Sequence, residues 1–152
     1  MINLTINGKN ISVNEGTTIL EAAKLHGIHI PHLCYMKNVH HYGSCRICVV
    51  EVEGAKNLQA SCITVAREGM VVKTNSPKVR QSRKMLYELL LSDHPKDCLS
   101  CTRNQNCELQ ALGNELGVTD ARFCGETSAD YVDISPSITK DNAKCVLCRR
   151  CV

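Results

Sequence analysis

Tyr42-Gly43-Ser44-Cys45-Arg46-Ile47-Cys48, with Cys34 before it and Cys62 after it, sets four thiols at the spacing Cys34-x10-Cys45-x2-Cys48-x13-Cys62. Three of the four stand on or beside one long loop and the fourth follows a short strand-like run, so four thiolates can converge on one point. That is the ligand set of a [2Fe-2S] cluster. The plant-type spacing has four residues in its first gap, so a first gap of ten reads as a lengthened cluster loop. Zinc is the competing occupant. Structural zinc sites usually pair two Cys-x2-Cys knuckles, whereas only Cys45 and Cys48 form one here, so the pattern favours iron-sulfur. Gly43 is expected where backbone N–H groups approach sulfur too closely for a side chain.

Toward the N-terminus the chain reads as strands and one helix. Ile2, Leu4 and Ile6 alternate with polar residues, Asn7-Gly8 supplies a hairpin turn, and Ile11 and Val13 alternate again, giving two antiparallel strands. Thr18 and Glu21 have capping-box spacing, Ile19, Leu20, Ala23 and Leu25 give a helix its apolar face, and Gly27 stops it. Ile28 to Leu33 then leads through Pro31 into Cys34. Beyond the loop, Ile47 to Val52, Leu58 to Ser61 and Met70 to Thr74 suit three returning strands. This order predicts an α+β fold opening with a β-grasp [2Fe-2S] ferredoxin domain over residues 1–76.

Ser76-Pro77 is a helix start. The helix carries Val79, Met85, Leu86, Leu89 and Leu90 on one side and Lys78, Arg80, Arg83 and Lys84 on the other, and must end by Asp93 or His94, ahead of Pro95. There the second constellation begins, His94-x3-Cys98-x2-Cys101-x5-Cys107, which suits a [4Fe-4S] cluster or Zn²⁺ alike. A third helix from about Cys107 to Leu116 places Leu109, Leu112 and Leu116 on one face, and Gly117 ends it, closing a small helical His/Cys3 domain over 77–117. Residues 118–143, rich in Ser, Thr, Asp and Gly, read as an irregular connector. Residues 144–152 then open a bacterial-type ferredoxin motif with Cys145-x2-Cys148-x2-Cys151, whose fourth cysteine is expected beyond Val152, so the chain reads as part of a longer one.

Composition agrees with metal rather than disulfide chemistry. Eleven cysteines are an odd number, their spacings cluster at two, and no signal peptide precedes the first strand, so a cytoplasmic protein with reduced thiols is expected. The formal charge of +3 is lowered by every thiolate cluster bound. Basic residues are spread out, with four Tyr, one Phe and no Trp to build a stacking platform, which argues against a nucleic-acid partner. No apolar run reaches the roughly 18 residues of a membrane span, so direct membrane insertion is not expected.

Taken together, the Cys34/Cys45/Cys48/Cys62 set with Tyr42-Gly43-x-Cys45-Arg46-x-Cys48, the His94-to-Cys107 set and Lys144-Cys145-Val146-Leu147-Cys148-Arg149-Arg150-Cys151 resemble one family region. It is the N-terminal region shared by the large iron-sulfur subunit of respiratory complex I, NAD-linked formate dehydrogenases and multi-subunit [FeFe]-hydrogenases. With Ser135-Pro136-Ser137-Ile138 ahead of the third motif, the chain looks most like the catalytic subunit of NAD(P)-linked, often electron-bifurcating, iron hydrogenases. The resemblance implies iron at the first site and a [4Fe-4S] cluster on His94, Cys98, Cys101 and Cys107. It also implies an incomplete [4Fe-4S] site at Cys145, Cys148 and Cys151, with further [4Fe-4S] clusters and an H-cluster beyond Val152. The partners it implies are a flavin- and NAD(P)-binding subunit, a small thioredoxin-like [2Fe-2S] subunit and, as a further candidate, ferredoxin. The function implied is an electron relay with no catalytic residue of its own. The same module in a formate dehydrogenase or complex I-type NADH dehydrogenase is the alternative, and a zinc-stabilised interaction module is the reading from another class.

The remaining residues have plainer expectations. Cys124 fits no spacing and reads as a small buried hydrophobe. His40 and His41 are expected at the surface of the first loop, and His26, His29 and His32 as capping or surface groups. Arg46, Arg149 and Arg150 either offset cluster charge or face water.

Overall fold

The computed structural model describes residues 1–39, 41–124, 127 and 131–151. Its N-terminal part is a five-stranded sheet. Strands β1 (Ile2–Ile6) and β2 (Lys9–Val13) pair antiparallel with Leu4 opposite Ile11, and Leu4, Ile6, Ile11 and Val13 are all buried. Between them Asn7 and Gly8 both take positive φ, 53° and 81°, as a two-residue turn matched to strand twist requires. Strands β3 (Val49–Val52), β4 (Gln59–Ala60) and β5 (Val71–Lys73) complete the sheet in the order β2-β1-β5-β3-β4. The last strand is thus the middle one, parallel to β1 and antiparallel to β3. Asn7 fastens it: its side chain donates to Thr74 Oγ1 at 2.7 Å and accepts from Thr74 N at 2.8 Å.

Helix α1 (Ile19–Leu25) packs on the sheet through Ile19, Leu20, Ala22 and Ala23. Its expected cap is present, with Glu21 N donating to Thr18 Oγ1 at 3.3 Å. Leu25, expected on the apolar face, is 68% exposed. At about 100° per residue it lies roughly 140° from the middle of the buried arc, so helix geometry overrides its hydrophobicity.

Helix α2 (Pro77–Ser92) starts on the Ser76 cap, Val79 N donating to Ser76 Oγ at 3.3 Å, and ends with Asp93 two residues ahead of Pro95. Its buried row is Val79, Arg83 and Tyr87, spaced four apart. Met85 and Leu89, expected inward, are 44% and 49% exposed, while Arg83, expected in water, is 4% exposed. Arg83 turns inward because two backbone carbonyls wait there: its Nε donates to Ile47 O at 3.1 Å and a terminal nitrogen to Val49 O at 2.7 Å. Helix α3 (Glu108–Leu116) lies against α2 and stops at Gly117, which takes φ 65°. Tyr87 donates its hydroxyl to Leu109 O at 3.0 Å across the two helices.

Within 118–143 the described residues hold a regular element that was not expected. Strands β6 (Val132–Ile134) and β7 (Thr139–Asp141) form a hairpin closed by Ser135 N to Ile138 O at 2.8 Å. Its strand side chains are exposed but for a half-buried Asp141, so no hydrophobic alternation announces it. Upstream, Arg122 grips the buried Glu88 of α2 through three hydrogen bonds of 2.7 to 3.0 Å. Cys124 is exposed, not buried as expected, and its neighbour Phe123 is also exposed. Among the described residues no helix is long and apolar enough to cross a membrane.

Candidate metal centres

The loop that runs from α1 into β3 carries Cys34, Cys45 and Cys48, and the turn after β4 brings Cys62 beside them, all four as buried, free thiols. They stand as two hydrogen-bonded pairs. Cys45 is held down to about 6 first by the hydrogen bond it shares with Cys34, and Cys48 to about 6 by the one it shares with Cys62. The partners Cys34 and Cys62 are pushed up correspondingly, by those same bonds and by burial. Within each pair, charge on one sulfur is favoured by the hydrogen bond it takes from the other. Backbone N–H groups of Leu33, Cys34 and Ile47 favour the charged Cys45 sulfur, and those of Ser44 and Cys45 favour charge on Cys34. Arg46 and Gly43 at φ 58° and 62° let the chain curl its amides inward. Gly43 is needed for a second reason, since a Cβ there would meet Ile63 at 3.1 Å.

Pairs of thiols suit a two-iron cluster, in which each iron takes two thiolates. A single zinc instead needs its donors gathered at about 2.0–2.3 Å from one point. Among the described residues no three His, Cys, Asp or Glu side chains gather so. Residues the sequence did not single out support the loop. Tyr35 is buried, donates to Glu21 and stacks on His41 at 5.2 Å between ring centres, and Ser61 donates to Cys48 O at 2.7 Å. The bond from Tyr35 is the main reason the Glu21 carboxyl titrates below its ordinary value. Of the other histidines, His26 caps α1, His29 meets Glu115 at 3.0 Å and His32 meets Ile30 O at 2.9 Å. His40 lies outside the described residues.

The second constellation forms around a cavity of about 500 Å³ lined by His94, Cys98, Cys101 and Cys107 together with Tyr87 and Lys144. Helix α2 delivers His94 just past its end, a turn holds Cys98 and Cys101, and Cys107 begins α3. Nδ1 of His94 is buried with no hydrogen-bond partner. Burial holds its imidazole below the usual histidine range, hence neutral and able to offer a lone pair. An unpartnered ring nitrogen and three thiols around a space this large fit a cluster of several atoms better than one ion, whose ligands would touch it.

In the third motif Cys145 and Cys148 are half-buried and Cys151 exposed. Leu147 and Arg149 take positive φ, as Arg46 does in the first loop. Arg149 lies over the Tyr42 ring at 5.2 Å and Arg150 pairs with Glu108 at 2.6 Å, whereas Arg46 is exposed. A second cavity, about 340 Å³, is lined by Cys45, His94 and Cys145, one residue from each motif. One apolar cluster, including Leu33, Ile47, Tyr87, Leu109 and Leu112, runs beneath all three and takes in Cys34, Cys45, Cys107 and Cys148.

Residues 1–77 match the family model described as the 2Fe-2S iron-sulfur cluster binding domain, and residues 83–122 the one described as the NADH-ubiquinone oxidoreductase-G iron-sulfur binding region. The chain is 50% identical over 157 residues to "NADP-reducing hydrogenase subunit HndD" of Solidesulfovibrio fructosivorans, covering 99% of this chain and 27% of that protein. It is 34% identical over 154 residues to the mitochondrial "NADH-ubiquinone oxidoreductase 78 kDa subunit" of Candida albicans (strain SC5314 / ATCC MYA-2876), covering 99% of this chain and 21% of that one. Among solved structures, a chain of an NAD⁺-reducing [NiFe]-hydrogenase in the H₂-reduced state superposes with a TM-score of 0.92 at 36% identity, over 99% of this chain and 64% of that chain. The chain thus spans about a quarter of the length of these curated relatives.

Proposed function

We propose that this chain, which belongs to the family of 2Fe-2S iron-sulfur cluster binding domains, is the electron-relay module of an NAD(P)-linked iron hydrogenase. It passes single electrons between a flavin- and NAD(P)-binding subunit and a hydrogen-activating centre elsewhere in the assembly. Cys34, Cys45, Cys48 and Cys62 hold a [2Fe-2S] cluster; His94, Cys98, Cys101 and Cys107 hold a [4Fe-4S] cluster; Cys145, Cys148 and Cys151 supply three ligands to another. The corresponding units are residues 1–76, 77–117, a connector over 118–143, and 144–152. A small thioredoxin-like [2Fe-2S] subunit and ferredoxin are the further partners, and the cytoplasm is the compartment.

The observation that carries this reading is the cavity shared by Cys45, His94 and Cys145 over one apolar cluster. Bound clusters supply one-electron chemistry. The chain's part is to hold the three ligand sets against a common dry core, where they sit as neighbours. Leu33, Ile47 and Leu109 exclude water between the first two sets, and backbone amides offset charge on the first thiolates.

A second reading, the same module of a complex I-type NADH dehydrogenase, is supported by the 34% identity to the Candida albicans protein and by the family description matched at 83–122. Anaerobically purified protein should be brown, with iron and acid-labile sulfide near the amount for one [2Fe-2S] and one [4Fe-4S] cluster and an EPR signal for each. A colourless, folded, zinc-loaded protein would overturn the relay. Hydrogen-dependent NAD(P) reduction by the purified assembly, lost on removing this module, separates the two readings.

A further inference from the structure

Arg83 is the charged residue that the fold treats least like one. It is 4% exposed, and its bonds go to the carbonyls of Ile47 and Val49, the residues on either side of Cys48. No carboxylate stands within ion-pair distance of it among the described residues. Glu115 acts on it only at longer range, being exposed and paired to His29 at 3.0 Å. A guanidinium does not lose its proton in proteins, and a buried charge without a partner is strongly destabilising. Two neutral carbonyls do not neutralise it, so its compensating charge must come from beside them.

We propose that Arg83 is the buried counter-charge of the first metal centre, placed behind Cys48 to raise the reduction potential of the bound [2Fe-2S] cluster. The inference rests on the assignment of Cys34, Cys45, Cys48 and Cys62 as its ligands. Four thiolates give the loaded site net negative charge, and one-electron reduction adds one more beside a fixed positive charge in a low-dielectric interior. That favours the reduced form. Arg83 also ties α2, which delivers His94, to the first loop, so the charge sits on the element joining the first two sites.

The test is a redox titration of the [2Fe-2S] EPR signal in the anaerobic protein carrying Arg83→Gln or Arg83→Lys. Gln keeps a donor for one carbonyl and removes the charge; Lys keeps the charge and loses the fork. The expected result is a tenfold or greater fall in the one-electron reduction equilibrium for Arg83→Gln, about 59 mV more negative. Arg83→Lys should stay well inside that shift. A Gln variant with the parent potential, or Gln and Lys variants shifted alike, would overturn the proposal. If Arg83→Gln loses the cluster, Arg83→Lys decides: retention near the parent potential supports the counter-charge, and loss shows that hydrogen bonding is the role. Absence of a [2Fe-2S] signal in the parent would instead overturn the ligand assignment.

Discussion

Gly113→Ala probes how α2 and α3 close over the second cavity. A Cβ at this position meets the Tyr87 hydroxyl, Tyr87 Cζ at 2.9 Å and Val118 O at 3.1 Å, so either the ring or the turn after α3 must move. Overpacking of this kind costs about 1–3 kcal/mol. Exchanging Gly for Ala inside a helix returns about 1 kcal/mol, leaving a net loss of up to about 2 kcal/mol. Tyr87→Phe alone forfeits the bond to Leu109 O, about 1 kcal/mol. Because the hydroxyl is the closest obstacle, removing it should cost little or nothing in the Gly113→Ala background. Both residues line the cavity with His94 and the three cysteines, so the displaced ring also reaches the site. Urea unfolding of the anaerobic protein, followed by circular dichroism with iron release measured in parallel, gives all four corners of the cycle. A Gly113→Ala protein more stable than its parent, or a Tyr87→Phe penalty equal in both backgrounds, would refute this account of the packing.

Cys48→Ser should abolish or destabilise the first cluster and loosen residues 33–48, which have little apolar sequence to order them; an unchanged [2Fe-2S] EPR signal would contradict the assignment. His94→Cys should retain a [4Fe-4S] cluster at a lower potential, because a thiolate adds one negative charge, while His94→Ala should leave a labile cluster; redox-titrated EPR matching the parent in both would show that His94 is not a ligand. Arg122→Ala removes the three hydrogen bonds to the Glu88 carboxylate and should lower the melting temperature, with Glu88→Gln milder; thermal melts showing no loss for Arg122→Ala would remove Arg122 as the partner that matters.

The features legible in the sequence are those written in local spacing. The Asn7-Gly8 turn, the Thr18 and Ser76 caps, and the Gly117 stop each depend on a few consecutive residues, and each stands where its residues predict. The cysteine spacing likewise announces thiols set close together, and Cys34 neighbours Cys45 as Cys48 neighbours Cys62. What the sequence hides depends on partners far along the chain. Arg83 looks solvent-facing until Ile47 and Val49, more than thirty residues earlier, turn their carbonyls toward it. Glu88 is buried because Arg122 covers it. The β6–β7 hairpin is held by backbone pairing, which leaves no pattern in side-chain hydrophobicity.

The place of β5 at the centre of the sheet also sets an order of events. All four thiols of the first site have been synthesised by Cys62, but β1 has no parallel neighbour until Val71 follows to face Thr5. At about 5–20 residues per second, that interval lasts on the order of a second. Before it ends, the ligands exist on a chain whose sheet is not yet locked. In the finished fold Cys48 and Cys62 are 1% and 0% exposed, and the central strand is fastened by Asn7 and Thr74. The sheet that frames the first site is therefore completed only after all four of its thiols have been made.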